Sequence, residues 1–250
     1  ARGEPAAVAL LLQRGAPIDQ LDNDGLSPLL CALMNHRTRN ARLLAEAGAR
    51  QDILAAAGLG NKERVAELLA DDPALADLLH GTGISPLRLA AALGHADVVK
   101  LLLAAGAVQT GMELRAAAAR GHANVVRLLI GNDTETLNDA LMKACWSGQA
   151  DCARVLLEAG AEPNKTFQWS NVPCSDPETV KLLLDSGMNH TYLSLNSVMK
   201  QQDKELMKLL LAAGVEPARA RKEARAMGAI ELLDIIDQWE IEAEQESRSR

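Results

Sequence analysis

Gly83-Ile84-Ser85-Pro86-Leu87-Arg88-Leu89-Ala90-Ala91-Ala92-Leu93-Gly94-His95-Ala96-Asp97-Val98-Val99-Lys100-Leu101-Leu102-Leu103-Ala104-Ala105-Gly106 is the stretch that decides the fold. A turn leads into a short helix of small residues, which stops at Gly94. A second helix with a Leu face follows and stops at Gly106. Gly ends helices because it accepts left-handed φ without a Cβ clash. The apolar spacing of the second helix follows the helical period.

The same pattern recurs in both directions, and a recurring unit is the first thing to look for in any sequence. Apolar runs lead to Gly15, Gly48, Gly160, Gly187 and Gly214. From Gly106 the spacing is a strict 27 residues through Asp133, Gly160, Gly187 and Gly214. Gly15 and Gly48 are 33 apart, and Asp72 fills the same slot with gaps of 24 and 34. A second register lies twelve residues earlier, at Gly3, Gly60, Gly94, Gly121 and Gly148. His36, Ser175 and Gln202 occupy it elsewhere, and Gly228 marks the last unit.

Composition agrees with thin layers of helices. Of 250 residues, 43 are Ala and 41 are Leu, and only five carry an aromatic ring of Phe, Trp or Tyr: Trp146, Phe167, Trp169, Tyr192 and Trp239. A compact enzyme of this size fills its middle with more aromatic bulk. No apolar run is long enough to span a membrane, and the opening residues do not read as a secretory leader. The net charge of −7 argues against a general nucleic-acid binder. Residues 1–130 carry 13 basic and 13 acidic side chains and residues 131–250 carry 13 and 20, so the imbalance lies wholly in the second half. Four Cys without paired spacing point to a reducing compartment rather than a disulfide scaffold.

These units resemble the ankyrin repeat. Asp24-Gly25-Leu26-Ser27-Pro28-Leu29 and Gly83-Ile84-Ser85-Pro86-Leu87 match its β-turn finger and helix start, with Ser in place of Thr. Ala90-Ala91-Ala92-Leu93-Gly94-His95 and Ala117-Ala118-Ala119-Arg120-Gly121-His122 match its middle. The family His after Pro-Leu is absent, with Leu30 and Arg88 in its place. The resemblance implies an all-α, helical-hairpin solenoid of ankyrin type with few β-turn fingers. It would comprise an array over residues 1–217, half a repeat plus about seven units, then a capping repeat and acidic tail over residues 218–250. The unit near 166–187 is degraded, with Pro173 and Pro177 interrupting its first helix, although Asp176-Pro177-Glu178 reads as a fresh helix start. Ala1-Arg2-Gly3-Glu4 aligns with the end of a first helix, so the chain reads as a piece of a longer protein, bacterial in style.

A search for chemistry finds no nucleophile elbow, phosphate loop, paired-His helix or paired Cys. His95 and His122 follow the turn Gly, where a structural hydrogen bond is expected. Cys145 and Cys152 align with core slots. The sequence therefore points to a non-enzymatic scaffold, adaptor or inhibitor without cofactor or metal. It would be monomeric and cytoplasmic, and its partner another protein rather than nucleic acid or membrane. The alternative is the recruitment domain of a larger enzyme or a secreted bacterial effector. The resemblance places partner binding on the finger and first-helix side. Within it, the positions between Ala-Ala and Gly vary while their neighbours repeat. They include Met34, Asn35, Leu59, Leu93, Arg120, Trp146 and Ser147. Phe167, Trp169 and Tyr192 complete the expected set, with two roles open for Phe167 and Trp169: anchors for a partner, or plugs for the hole left by the degraded helix.

Overall fold

The structure of the chain is a computed structural model that describes residues 4–167, 172–173 and 176–249. It forms two compact units, Ala1–Ile130 and Gly131–Arg250.

The first unit is built of helices α1 (Pro5–Gln13), α2 (Pro28–Met34), α3 (Thr38–Glu46), α4 (Ile53–Leu59), α5 (Lys62–Asp71), α6 (Pro86–Leu93), α7 (Ala96–Ala104), α8 (Met112–Ala119) and α9 (Ala123–Leu129). After the lone α1 they pack in sequential pairs, α2 on α3 through α8 on α9. First helices also stack on one another, α2 on α4 on α6 on α8, and second helices do so from α5 through α7 to α9. Ala makes the first layer thin: Ala56, Ala57, Ala90, Ala91, Ala117 and Ala118 are completely buried. Ser27 and Ser85 begin α2 and α6 by accepting hydrogen bonds from the N–H groups of Leu30 and Arg88, with Pro next in line. Two fingers precede these caps. Each is closed by backbone bonds, Asp22 N–H to Leu26 O at 3.0 Å and His80 N–H to Ile84 O at 3.0 Å.

The second unit holds α10 (Thr134–Trp146), α11 (Ala150–Glu158), α12 (Pro163–Thr166), α13 (Pro177–Asp185), α14 (Leu195–Gln201), α15 (Lys204–Ala212), α16 (Pro217–Met227) and α17 (Ile230–Ser249). Where a first helix is expected, α12 makes a single turn and Phe167 follows, fully buried. The backbone then forms β1 (Val172–Pro173), paired in parallel with β2 (Leu193–Ser194). Asp176 restarts the helical pattern, its side chain accepting from Thr179 N–H with Pro177 in the first turn. At the far end Arg221 of α16 holds Asp237 and Glu240 of α17.

The Gly registers behave as their spacing predicts. Gly15, Gly48, Gly106, Gly160, Gly187 and Gly214 all have positive φ. Each closes the same pair of bonds, as at Gly106 N–H to Leu103 O and Ala107 N–H to Leu102 O, which satisfies the last carbonyls of the helix. His36 and Gln202, standing in the earlier register, also adopt left-handed φ, 54° and 50°. The two Asp substitutes differ. Asp72 and Asp133 have φ of −146° and −83°, so neither is a left-handed stop. An Asp side chain accepts from the next turn instead, and each caps the helix that follows it: Asp72 from Ala74 N–H, Asp133 from Glu135 and Thr136 N–H.

Candidate functional site

In the first unit two histidines each tie a turn to the pair before it. His95 Nε2–H donates to Gly58 O at 2.9 Å and His122 Nε2–H to Ala92 O at 3.2 Å. The rings lie flat on the preceding turn: a Cβ on Gly60 would fall 2.5 Å from His95 Nδ1, and one on Gly94 2.6 Å from His122 Nδ1. Burial holds both rings below the ordinary histidine range despite the opposing pull of their carbonyl partners. Both rings are structural and already engaged.

Gly58 decides the shape of the neighbouring surface. A Cβ there would meet Leu89 at 2.8 Å and Leu33 at 2.9 Å, so side chains of α2 and α6 close over α4. The fingers approach in the same way, because the pair between them has none; a Cβ on Gly25 would lie 3.8 Å from His80 Nε2. The result is a groove of about 350 Å³ that brings together Met34 and His36, the finger residues Thr82 and Ile84, and Arg88 and Arg120. Ala92, Ala116 and Ala119 also line it. His36 is held below the ordinary histidine range by burial first and by the charges of Arg120 and His122 second. Its Nδ1 is buried with no partner. Of the expected residues, Met34 and Arg120 line this groove, whereas Asn35, Leu59 and Leu93 do not. Asn35 is exposed but its amide donates to Cys31 O at 2.7 Å, and Leu59 and Leu93 are half-buried.

In the second unit Trp146 ends α10 with 46 % of its surface exposed, and Lys143 Nζ sits 5.2 Å from the ring centre. Ser147 beside it is exposed, and its carbonyl accepts from the Gln149 side chain. Tyr192 is half-buried in the turn His190–Tyr192, two helix pairs further on. Phe167 must be withdrawn as a partner-binding residue. It is the largest fully buried side chain among the described residues, and a ring inside the core cannot touch a partner. Trp169 lies outside the described residues. Cys145 and Cys152 are buried in α10 and α11, and burial pushes the Cys145 thiol up to about 12, which leaves it an inert core group.

Comparison with protein families supplies the deciding observation. A model described as ankyrin repeats in three copies matches residues 112–167, and a single ankyrin repeat matches residues 82–109. Residues 82–109 and 112–167 of the chain are ankyrin repeats. Among solved structures, the ankyrin repeat domain of human ASB11 aligns with 85 % of this chain and 94 % of its own at 21 % identity and a TM-score of 0.46. No curated protein sequence matches.

Ankyrin repeats are in general protein-interaction modules, and the groove lies on the side formed by first helices and fingers. Arg88, His36, Thr82 and Ile84 were not singled out as site residues from sequence. Arg88 had a signal: it stands where the ankyrin pattern places His. The others had none, because their meeting depends on α4 being small enough for its neighbours to close over it. No helix among the described residues is long and apolar enough to cross a membrane.

Proposed function

We propose that this ankyrin repeat protein is a non-catalytic binding module, acting as scaffold, adaptor or inhibitor for another protein. The observation that carries the reading is the groove of the first unit, where variable positions of three helix pairs and a finger converge on one open surface. A stack of repeats offers its variable side chains on one continuous face, and partners select among them. Trp146 is proposed as an anchor of the same kind in the second unit, since nearly half of this large ring is exposed at the end of a first helix. Met34, Asn35, Leu59, Leu93, Arg120, Ser147 and Tyr192 are proposed to contribute around these two points. The pair α16–α17, with its polar outer surface, is proposed to cap the array. A cytoplasmic setting and a monomeric state are proposed with it; the described cysteines Cys31, Cys145 and Cys152 are buried.

Photo-crosslinkers placed singly along the chain test this reading. Probes at Asn35 and Trp146 should capture a protein from the source cell, and probes at Lys100 and Glu158 on second helices should not. Capture confined to the second-helix positions would place the interface elsewhere and refute the proposal.

A further inference from the structure

The chemistry of the groove narrows the partner. Its cationic side chains, Arg88 and Arg120, have no carboxylate within ion-pair distance among the described residues. Among the described residues Arg88 donates to Gly83 O at 3.2 Å and to the Met112 sulfur at 3.5 Å. Arg88 also lines a second recess of about 430 Å³, walled by Leu79, Val108 and Met112. These three are 69 %, 58 % and 48 % exposed, an apolar cluster on a surface that should be polar. The two carboxylates on this recess are engaged. Asp77 accepts from Val108 N–H, and Glu113 is buried and accepts from Thr110 N–H and its hydroxyl. Arg88 therefore links the groove it shares with Arg120 to this apolar recess, and neither guanidinium is ion-paired among the described residues.

Resting on the protein-binding reading above, we propose that this surface binds an acidic peptide segment, its Asp or Glu carboxylate held by Arg88 and Arg120 and an adjoining apolar side chain seated on Leu79, Val108 and Met112. Arg presents a planar fork of donors that matches a carboxylate, and partly desolvated pairs of this kind are stronger than exposed ones. Nucleic acid fits less well. Residues 1–130 contain no Phe, Trp or Tyr on which a base could stack, and their basic and acidic side chains balance at 13 each.

The test uses the full chain and a phage-displayed library of seven-residue peptides randomised over Leu, Ala, Glu, Gln and Lys. Selected peptides should be enriched in Glu next to Leu. The best of them, labelled and followed by fluorescence anisotropy, should lose about tenfold in affinity with Arg88→Gln or with Arg120→Gln, and should weaken as salt rises. Arg88→Lys, which keeps the charge but loses the planar fork, should bind more tightly than Arg88→Gln and more weakly than the native protein, and circular dichroism should show each variant folded. Enrichment of Gln or Lys equal to Glu would overturn the acidic-peptide proposal while leaving protein binding intact. Displacement of the peptide by oligothymidylate at equal concentration would overturn it in favour of nucleic acid. A library with no enrichment at all would also overturn it, and the crosslinking result would then decide the wider reading alone.

Discussion

The two units solve the same packing problem with different means. In the first, the turns at Gly60 and Gly94 are each pinned by a histidine of the following pair, His95 and His122. In the second, the earlier Gly register holds Gly148, Gln202 and Gly228; a Cβ on either glycine would meet nothing within 4 Å. Order there comes instead from a local repair: a one-turn helix, a buried Phe167 and a two-residue parallel strand pair replace a first helix. Repetition makes stability a sum of similar interfaces. A repaired repeat concentrates it in one side chain.

That contrast can be broken most directly at Phe167. Phe167→Ala should cost about 3–5 kcal/mol, the usual price of emptying a fully buried aromatic site. Hydrogen exchange should show the loss in the second unit and leave α6–α9 protected. Uniform loss across both units would mean the two do not unfold separately.

Gly94→Ala tests the other side of the comparison. Left-handed φ costs an L-residue roughly 1–2 kcal/mol. The Cβ would also drive against His122 Nδ1, 2.6 Å away, and overpacking adds about 1–3 kcal/mol. Gly148→Ala carries only the first of these costs. A urea midpoint that falls equally in both variants would show that the histidine yields freely and is no lock.

Acid should separate the units further. Burial lowers the affinity of His36, His95 and His122 for protons in the folded state. The unfolded chain then binds more protons than the folded one, so stability rises with pH. The contribution is complete above about pH 6.5, the unperturbed histidine value, and is lost as pH falls below it toward the folded values. Exchange of amides in α4–α9 should accelerate between pH 7.5 and pH 5.5 beyond the intrinsic change, and more than in α13–α15. His95→Gln should shrink that difference. An equal response in the two units would assign the acid sensitivity to other groups.

The smallest expected effect on stability belongs to Trp146→Ala. Loss of the Lys143 contact removes about 0.5–1 kcal/mol at most for an exposed cation–π pair. Affinity for the partner captured at this position should fall at least tenfold, about 1.4 kcal/mol. A large loss of stability with unchanged affinity would make the ring a packing residue.

The sequence alone determined what local chemistry controls. Left-handed stops at Gly15 through Gly214, helix starts at Ser27, Ser85 and Asp176, and the thin Ala layer all follow from backbone sterics, capping and apolar period. Each needs only a few neighbouring residues. Tertiary structure decided the rest, because it depends on which residues meet from different pairs. Gly106 and Gly94 look alike in sequence. The first needs only its φ, whereas the second also makes room for a ring 28 residues away. Phe167 could have been an anchor or a plug, and only the missing bulk of α12 settles it as a plug. Arg88 and Arg120 stand 32 residues apart and share a groove because α6 packs on α8, and Met34 and His36 join them because Gly58 has no side chain to hold α2 and α6 apart.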